Sequence, residues 1–321
     1  MLISSVRKEN IPAQKEDFLY SWFREYVHFC RSMQSESNNK LGLFSATALV
    51  IANIIGTGIF TTTGFQAYFM KSPTAILVIW LVGGILALCG ALTYGELASA
   101  MPDSGGEYRY LSKIYHPVVG FCSGFISLFA GFSAPVAASA TAFGLYFSKI
   151  MPGISAQLAA AGLVIIVTLL HSRDLKTGSR FQDVFTVLKA VLIVGFILAG
   201  FWIGKDAGLH FEADTQGWAT VMSPTFAVSL IYVSFAYSGW NAAAYISGEI
   251  SNPVRNVPLA LLSGTLIVSG LYLGVNYVFL RVIPFDEIAN SPNGPVVEIG
   301  HLAATHIFGK AGGEIVSGLI S

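Results

Sequence analysis

The 321-residue chain carries 18 basic and 18 acidic side chains, so its formal net charge is zero, and only 11% of its residues are charged. A neutral, weakly charged chain gives no reason to expect nucleic acid or another polyelectrolyte as a partner. The hydrophobic share is 54%, and a soluble domain carries about 25% charged residues, so the composition indicates a membrane protein.

Residues 1–40 form a polar leader of mixed charge. Its segment 17–30, DFLYSWFREYVHFC, combines aromatic and charged residues in a way typical of a helix that lies in the membrane interface. A solvated tail with scattered aromatic residues explains the same letters equally well, so both interpretations stay open. We expect no cleaved signal peptide, because the leader lacks a short apolar core.

Seven apolar segments are long enough to cross a bilayer, which takes about 20 helical residues. They cover 41–70, 73–95, 117–148, 154–170, 184–204, 219–248 and 256–280, and only Lys189 places a charge inside one of them. We call them spans one to seven. An eighth begins near Ile315 and meets the last residue, Ser321, before it can cross. The sequence therefore predicts an all-α, multi-pass membrane protein.

The distribution of Lys and Arg predicts the orientation of these spans. With the N-terminus inside, twelve of the 18 basic residues fall in cytoplasmic segments and five fall on the opposite side. Cytoplasmic loops carry an excess of Lys and Arg, so we expect a cytoplasmic N-terminus.

Two spans carry glycine near their middle. Span one contains NIIGTGIF (53–60), and span six contains SFAYSGWN (234–241), which is interrupted at Ser238 and Gly239. Unwound backbone cannot face lipid, so it must line a protein cavity. Spans one and six hold matching places in two inverted halves, and such paired interruptions point to a transporter binding site. Close helix packing is the alternative explanation for a lone GTG.

The chemistry of two adjacent interruptions suits an amino acid. The half-helix after an interruption presents free N–H groups at the positive end of its dipole, and the half-helix before it presents free carbonyls. These donors and acceptors match a carboxylate and an ammonium group without any charged side chain. Glycine lets the ligand approach the backbone closely.

Lys189 is the second anomaly of the sequence. A lysine near the centre of a span costs about 2.5–3.5 kcal/mol on insertion scales, so it normally faces the bundle interior or a cavity. An ammonium group there would replace a coupling sodium ion and exchange a proton. Snorkelling of the long side chain to the interface is the alternative.

Several motifs together resemble the amino acid–polyamine–organocation (APC) permeases, with the closest likeness to the L-type amino acid transporter branch and its bacterial relatives. They are NIIGTGIF, GELASAMPDSGGEYRYLSKIYHP (95–117), SFAYSGWN and SGEISNPVRNVPLAL (247–261). The resemblance implies a leucine-transporter-like inverted-repeat fold that ends at the start of the eighth transmembrane helix. The leader 1–40 then precedes a first repeat at 41–204 and a partial second repeat at 219–321.

The resemblance also implies roles for individual residues. The amides of Gly56, Thr57 and Gly58 would hold the substrate carboxylate, and the carbonyls of Ile54 and Phe235 would accept from its ammonium. The Phe235 ring would close over the substrate from outside. The remaining implied positions are Ser238, Gly239 and Trp240 in the second interruption and Lys189 as the coupling residue.

Two departures from the family shape our expectations about partners. Members that pair with a glycoprotein have an external cysteine between spans three and four, and SKIMPGISA (148–156) has none, so we expect no disulfide-linked subunit. Family members have about twelve spans. A fragment, an inactive remnant and half of a split transporter completed by a downstream C-terminal fragment remain open, and we expect the 321-residue chain alone not to transport.

The leading hypothesis is a sodium-independent secondary transporter of amino acids, as exchanger or proton symporter, in the inner or plasma membrane. Small residues at 242–244 and at Ser123, Ser127 and Ser133 favour a neutral substrate. A non-transporting amino acid sensor is the alternative from another class. An intramembrane enzyme would need convergent catalytic groups, whereas the six histidines are scattered. We expect no enzymatic activity, no metal and no cofactor.

Overall fold

A computed structural model describes residues 40–150, 153–172, 175–208, 215–292 and 294–320. Over these residues the chain is helical, and the only β-type pairing there is an isolated bridge between Leu41 and Ile250. The all-α prediction is confirmed for this part of the chain. The interfacial helix predicted at 17–30 lies outside the described residues.

The helices are named α1 to α14 in chain order. Their bounds are α1 Leu43–Ile54, α2 Thr62–Met70, α3 Pro73–Ala100, α4 Gly106–Ile114, α5 Pro117–Ile126, α6 Ala134–Ile150, α7 Ala156–His171, α8 Leu175–Trp202, α9 Thr215–Val221, α10 Pro224–Ala236, α11 Ala242–Tyr245, α12 Pro253–Val282, α13 Phe285–Ala289 and α14 Ile299–Ile320. A 3₁₀ turn, Thr57–Phe60, lies between α1 and α2, and a π-helical segment, Ser127–Ser133, joins α5 to α6.

The helices account for all seven predicted spans. Five segments of the described chain are long and apolar enough to cross a membrane: Leu43–Met70, Pro73–Ala100, Pro117–Thr141, Gln182–Trp202 and Pro253–Val282. Two shorter apolar helices, Ala156–Leu169 and Pro224–Ala236, coincide with spans four and six. The chain is therefore a multi-pass membrane protein.

Serine followed by proline starts two of the membrane helices. The Ser72 hydroxyl accepts from the N–H of Ala75 at 3.2 Å ahead of α3, and Pro73 is the first helical residue. Ser223 and Pro224 begin α10 in the same way. A serine side chain satisfies a free amide of the first turn, and proline has no amide to satisfy there. The local sequence thus determines where these helices begin.

The core lies where α3 and α12 pack along each other, with α1, α8 and α10 against them. Small residues bring the backbones together. A β-carbon added to Gly264 of α12 would lie 2.7 Å from the Val50 side chain of α1, and one added to Gly95 of α3 would lie 3.1 Å from Pro258. Helices in membranes associate through such close packing, because the hydrophobic effect does not drive helices together within lipid.

Two helices differ from the sequence-based expectation. The part of span six after its interruption, predicted as a half-helix up to residue 248, is a single turn, α11, followed by a 3₁₀ turn at Ser247–Glu249. The predicted start near Ile315 falls inside α14, which begins at Ile299 and is interrupted at Gly309. Lys310 and Glu314 lie inside this helix, so a search for charge-free runs detects only its last residues.

Candidate functional site

The first break, residues 55–61, separates α1 from α2. The Ile55 N–H still donates to the Ile51 carbonyl at 2.9 Å, but Gly56 is extended, with φ −121° and ψ −167°. The chain then makes the 3₁₀ turn Thr57–Phe60 before α2 begins. The last carbonyls of α1 therefore lack helical partners, and so do the first amides after the break.

The second break, residues 237–241, separates α10 from α11. The Ser238 N–H donates to the Phe235 carbonyl at 3.0 Å, which tightens the end of α10. Gly239 has φ +101°, a conformation that glycine adopts without the steric cost of a side chain. Glycine is therefore required at this position by the path of the backbone.

Each break lies directly against the end of the helix that leads into the other break. A β-carbon on Gly239 would lie 2.6 Å from the carbonyl oxygen of Asn53 in α1, and one on Gly58 would lie 3.2 Å from the β-carbon of Ala236 in α10. Each break thus contributes a glycine at the point where the other broken helix approaches. The structure brings together the two glycine positions that the sequence singled out.

Tyr272 of α12 joins the two breaks, and the sequence analysis missed it. Its hydroxyl donates to the Ile54 carbonyl at 2.7 Å and lies 3.2 Å from the Ala236 carbonyl, so it contacts the last residue of both α1 and α10. The side chain is fully buried. It packs in an aromatic cluster with Trp80 and Tyr237, whose ring centroids lie 5.4 Å and 5.1 Å from its own.

The other implied substrate residues occupy varied environments. Ile54 is buried, whereas the backbone positions Gly56 and Ser238 are exposed. The Phe235 side chain is 63% exposed, and its carbonyl already accepts from Ser238. Two small residues expected to shape the pocket, Ala243 and Ala244, are fully buried and do not line open space.

Lys189 lies near the middle of α8, on the face that packs toward the bundle. Thr186, Ile193 and Phe196 are buried, and residues three and four apart share one side of a helix, so Lys189 projects from the same side. Its own side chain is exposed. The helix contacts both α1 and α12, which places Lys189 on an element adjacent to the first break.

A carboxylate next to the second break was also missed. Glu107 of α4 accepts through Oε1 from the Asn241 side-chain amide at 2.6 Å and from the Tyr94 hydroxyl at 3.1 Å. Its Oε2 is buried without a hydrogen-bond partner among the described residues. Trp240 packs edge-to-face on Tyr94, with centroids 4.9 Å apart. Glu107 thereby connects α3, α4 and the second break.

Comparison with known proteins identifies the family of the chain. A family model described as "Amino acid permease" matches residues 41–321. The serine/threonine exchanger SteT of Bacillus subtilis is 31% identical over 295 residues, which cover 89% of this chain and 64% of that protein. The mouse b(0,+)-type amino acid transporter 1 is 30% identical over 83% of this chain and 56% of its own length.

A further relative is the mouse large neutral amino acids transporter small subunit 2, 28% identical over 81% of this chain and 51% of its own length. The chain thus spans between about half and two thirds of the length of these curated relatives.

Proposed function

This chain belongs to the amino acid permease family, and on that premise we propose that it takes part in moving amino acids across a membrane by alternating access. The observation that carries the proposal is the close approach of each break to the end of the other broken helix, at Gly239 with Asn53 of α1 and at Gly58 with Ala236 of α10. Transporters of related design bind their substrates between paired broken helices near the membrane midplane. Because the relatives are longer, the transport activity of the whole protein is part of this proposal.

The proposed substrate contacts are backbone groups. The amides of Gly56, Thr57 and Gly58 bind the carboxylate at the positive end of the turn that they begin. The carbonyls of Ile54 and Phe235 accept from the ammonium. Each already accepts one hydrogen bond, from Tyr272 and Ser238 respectively, and a carbonyl oxygen has a second lone pair for the ligand. The carbonyl end of α1 therefore keeps acceptor capacity for the substrate.

Ligand binding by the purified chain in lipid nanodiscs tests this assignment. Gly58→Val should abolish binding of labelled serine or leucine and leave membrane insertion intact. The matched control is Gly270→Val on α12, where an added β-carbon meets no atom within 4 Å; it should bind like the unmodified chain. Unchanged affinity in Gly58→Val would refute the carboxylate site.

We further propose a neutral amino acid as the substrate. The names of two relatives, a serine/threonine exchanger and a large neutral amino acids transporter subunit, refer to neutral amino acids. The carboxylate nearest the second break, Glu107, already accepts from Asn241 and Tyr94 through one oxygen. Unlabelled serine or leucine should displace the bound label more strongly than unlabelled arginine does. Stronger competition by arginine would contradict the assignment.

We also propose coupling without sodium, and the position of Lys189 supports it. Lys189 projects from the side of α8 that carries the buried Thr186 and Ile193, and its ammonium would take the place and charge of a sodium ion. Binding should persist when choline replaces sodium. Lys189→Ala should alter the pH dependence of binding, while Lys205→Ala, an exposed lysine after the end of α8, should not. Strict sodium dependence of the unmodified chain would end this proposal.

The proposed location is the inner or plasma membrane, with the N-terminus in the cytoplasm. A protease site inserted ahead of residue 40 should be cleaved in inside-out vesicles and protected in right-side-out vesicles. The opposite pattern would reverse the orientation.

A further inference from the structure

We propose that the Tyr272 hydroxyl positions both breaks for substrate binding by holding the terminal carbonyls of α1 and α10 together. The role in substrate binding rests on the proposed function, whereas the role in holding the breaks does not. Tyr272 is a positioning residue in this proposal, because it acts through the Ile54 and Ala236 carbonyls.

The contacts of this hydroxyl reach the backbone of three residues that are distant from it in sequence. It lies 2.7 Å from the Ile54 carbonyl oxygen and 3.2 Å from the Ala236 carbonyl oxygen, and the backbone of Gly56 also approaches it. Ile54 is 218 residues away along the chain and Ala236 is 36 away. One side-chain atom therefore touches the end of α1, the start of the first break and the end of α10.

These carbonyls need a partner that the helices cannot supply. The last carbonyls of a helix have no intrahelical donor, and a buried polar group without a partner is costly. A hydroxyl has one proton to donate, and the shorter distance assigns it mainly to Ile54. Acceptor capacity remains on both carbonyls, and on Ile54 it is the capacity that the proposed function assigns to the substrate ammonium.

The ring of Tyr272 is held firmly enough to define where its hydroxyl lies. Trp80 and Tyr237 pack on it, and all three side chains are at most 1% exposed. The Tyr237 hydroxyl, in the second break itself, donates to the Trp80 carbonyl at 3.1 Å. The control is therefore Tyr277, the same residue type on the same helix, whose ring stacks on Phe201 with centroids 5.4 Å apart and lies outside both breaks.

Backbone hydrogen exchange measured by mass spectrometry tests the holding role without any ligand. In Tyr272→Phe, peptides covering 52–60 and 234–242 should both exchange faster, by roughly 3- to 10-fold for the loss of one hydrogen bond. Tyr277→Phe should leave both peptides at the unmodified rate. Unchanged exchange in Tyr272→Phe, or an equal increase in both variants, would overturn the proposal.

Binding measurements on the same variants test the substrate role. Tyr272→Phe should weaken amino acid binding by a similar roughly 3- to 10-fold, and Tyr277→Phe should not. Tyr272→4-aminophenylalanine, which restores a donor at the same place, should return both exchange and binding toward the unmodified values. Lack of rescue would overturn the proposal.

The experiments distinguish a failure of the proposed function from a failure of the role proposed for Tyr272. If the unmodified chain binds no amino acid, the proposed function fails, while the exchange comparison still decides whether Tyr272 holds the breaks. If Tyr272→Phe does not fold, recovery of folded protein by Tyr272→4-aminophenylalanine supports the proposal and its absence overturns it.

Discussion

Replacing Gly239 by alanine should push the second break away from the end of α1. The residue has φ +101°, and holding a side chain in such a sparsely populated conformation costs about 1–3 kcal/mol. The added β-carbon would also lie 2.6 Å from the Asn53 carbonyl oxygen and 2.7 Å from its carbonyl carbon. These are backbone atoms and cannot rotate away, and overpacking of this kind costs about 1–3 kcal/mol more. The combined loss is about 2–6 kcal/mol.

The matched change is Gly270→Ala on α12, where the added β-carbon meets no atom within 4 Å. Alanine is favoured over glycine within a helix by about 0.5–1 kcal/mol, so this variant should equal or exceed the unmodified chain in stability. The same chemical substitution is thus expected to have opposite signs at the two positions.

The assay is SDS-induced unfolding in mixed micelles, followed by circular dichroism, with amino acid binding measured in parallel. Gly239→Ala should unfold at lower SDS and lose binding, while Gly270→Ala should keep both properties. Agreement of the two variants to within about 0.5 kcal/mol, the usual range of neutral surface changes, would refute the contact between Gly239 and Asn53.

Three other changes have defined outcomes. Glu107→Ala removes the acceptor of the partly buried Tyr94 and Asn241 donors and should destabilise the chain by about 1–3 kcal/mol in SDS unfolding. Glu107→Gln keeps an acceptor and should lose less; equal losses would contradict the hydrogen bonds of Glu107 to α3 and the second break. Gly64→Ala places a β-carbon 1.7 Å from the Val296 carbonyl oxygen, so the loop before α14 should become more sensitive to protease, and unchanged cleavage would count against the packing. Hydrogen bonds from Lys113 and Arg109 lower the pKa of the Asp103 carboxyl in the folded chain. The stabilisation that this carboxylate contributes is present above the usual carboxyl pKa of about 3.9 and is lost as pH falls through the folded value. Asp103→Asn should therefore be less stable than the unmodified chain at neutral pH and equal to it in strong acid, and a difference that persists in acid would exclude this cause.

The sequence was most informative about where the helices are interrupted. The first break was expected at 56–58 and spans 55–61, and the second was expected at Ser238 and Gly239 and spans 237–241. Glycine within an otherwise apolar helix is a local signal, because the residue that permits an interruption is also the residue that marks it. The positive φ of Gly239 is an example.

Contacts between distant residues were not visible in the same way. Tyr272 reads as one more apolar residue of span seven, and Glu107 reads as part of a polar loop. Their importance comes from partners 218 and 134 residues away, Ile54 and Asn241, which only tertiary packing brings near. The short length of α11 was not predicted for a related reason, because apolar composition does not reveal where a short helix ends.

The position of Trp240 gives the second break an optical reporter. Its ring lies edge-on to Tyr94, and a β-carbon on Gly90 would lie 2.7 Å from it, so any shift of the break relative to α3 must change the surroundings of this indole. The other tryptophans, including the buried Trp80, emit in both the unmodified chain and Trp240→Phe, so the difference between the two isolates the Trp240 signal. Indole emission depends on local polarity. Ultraviolet fluorescence of the unlabelled chain, compared with that of Trp240→Phe, therefore follows the break in real time without an attached dye.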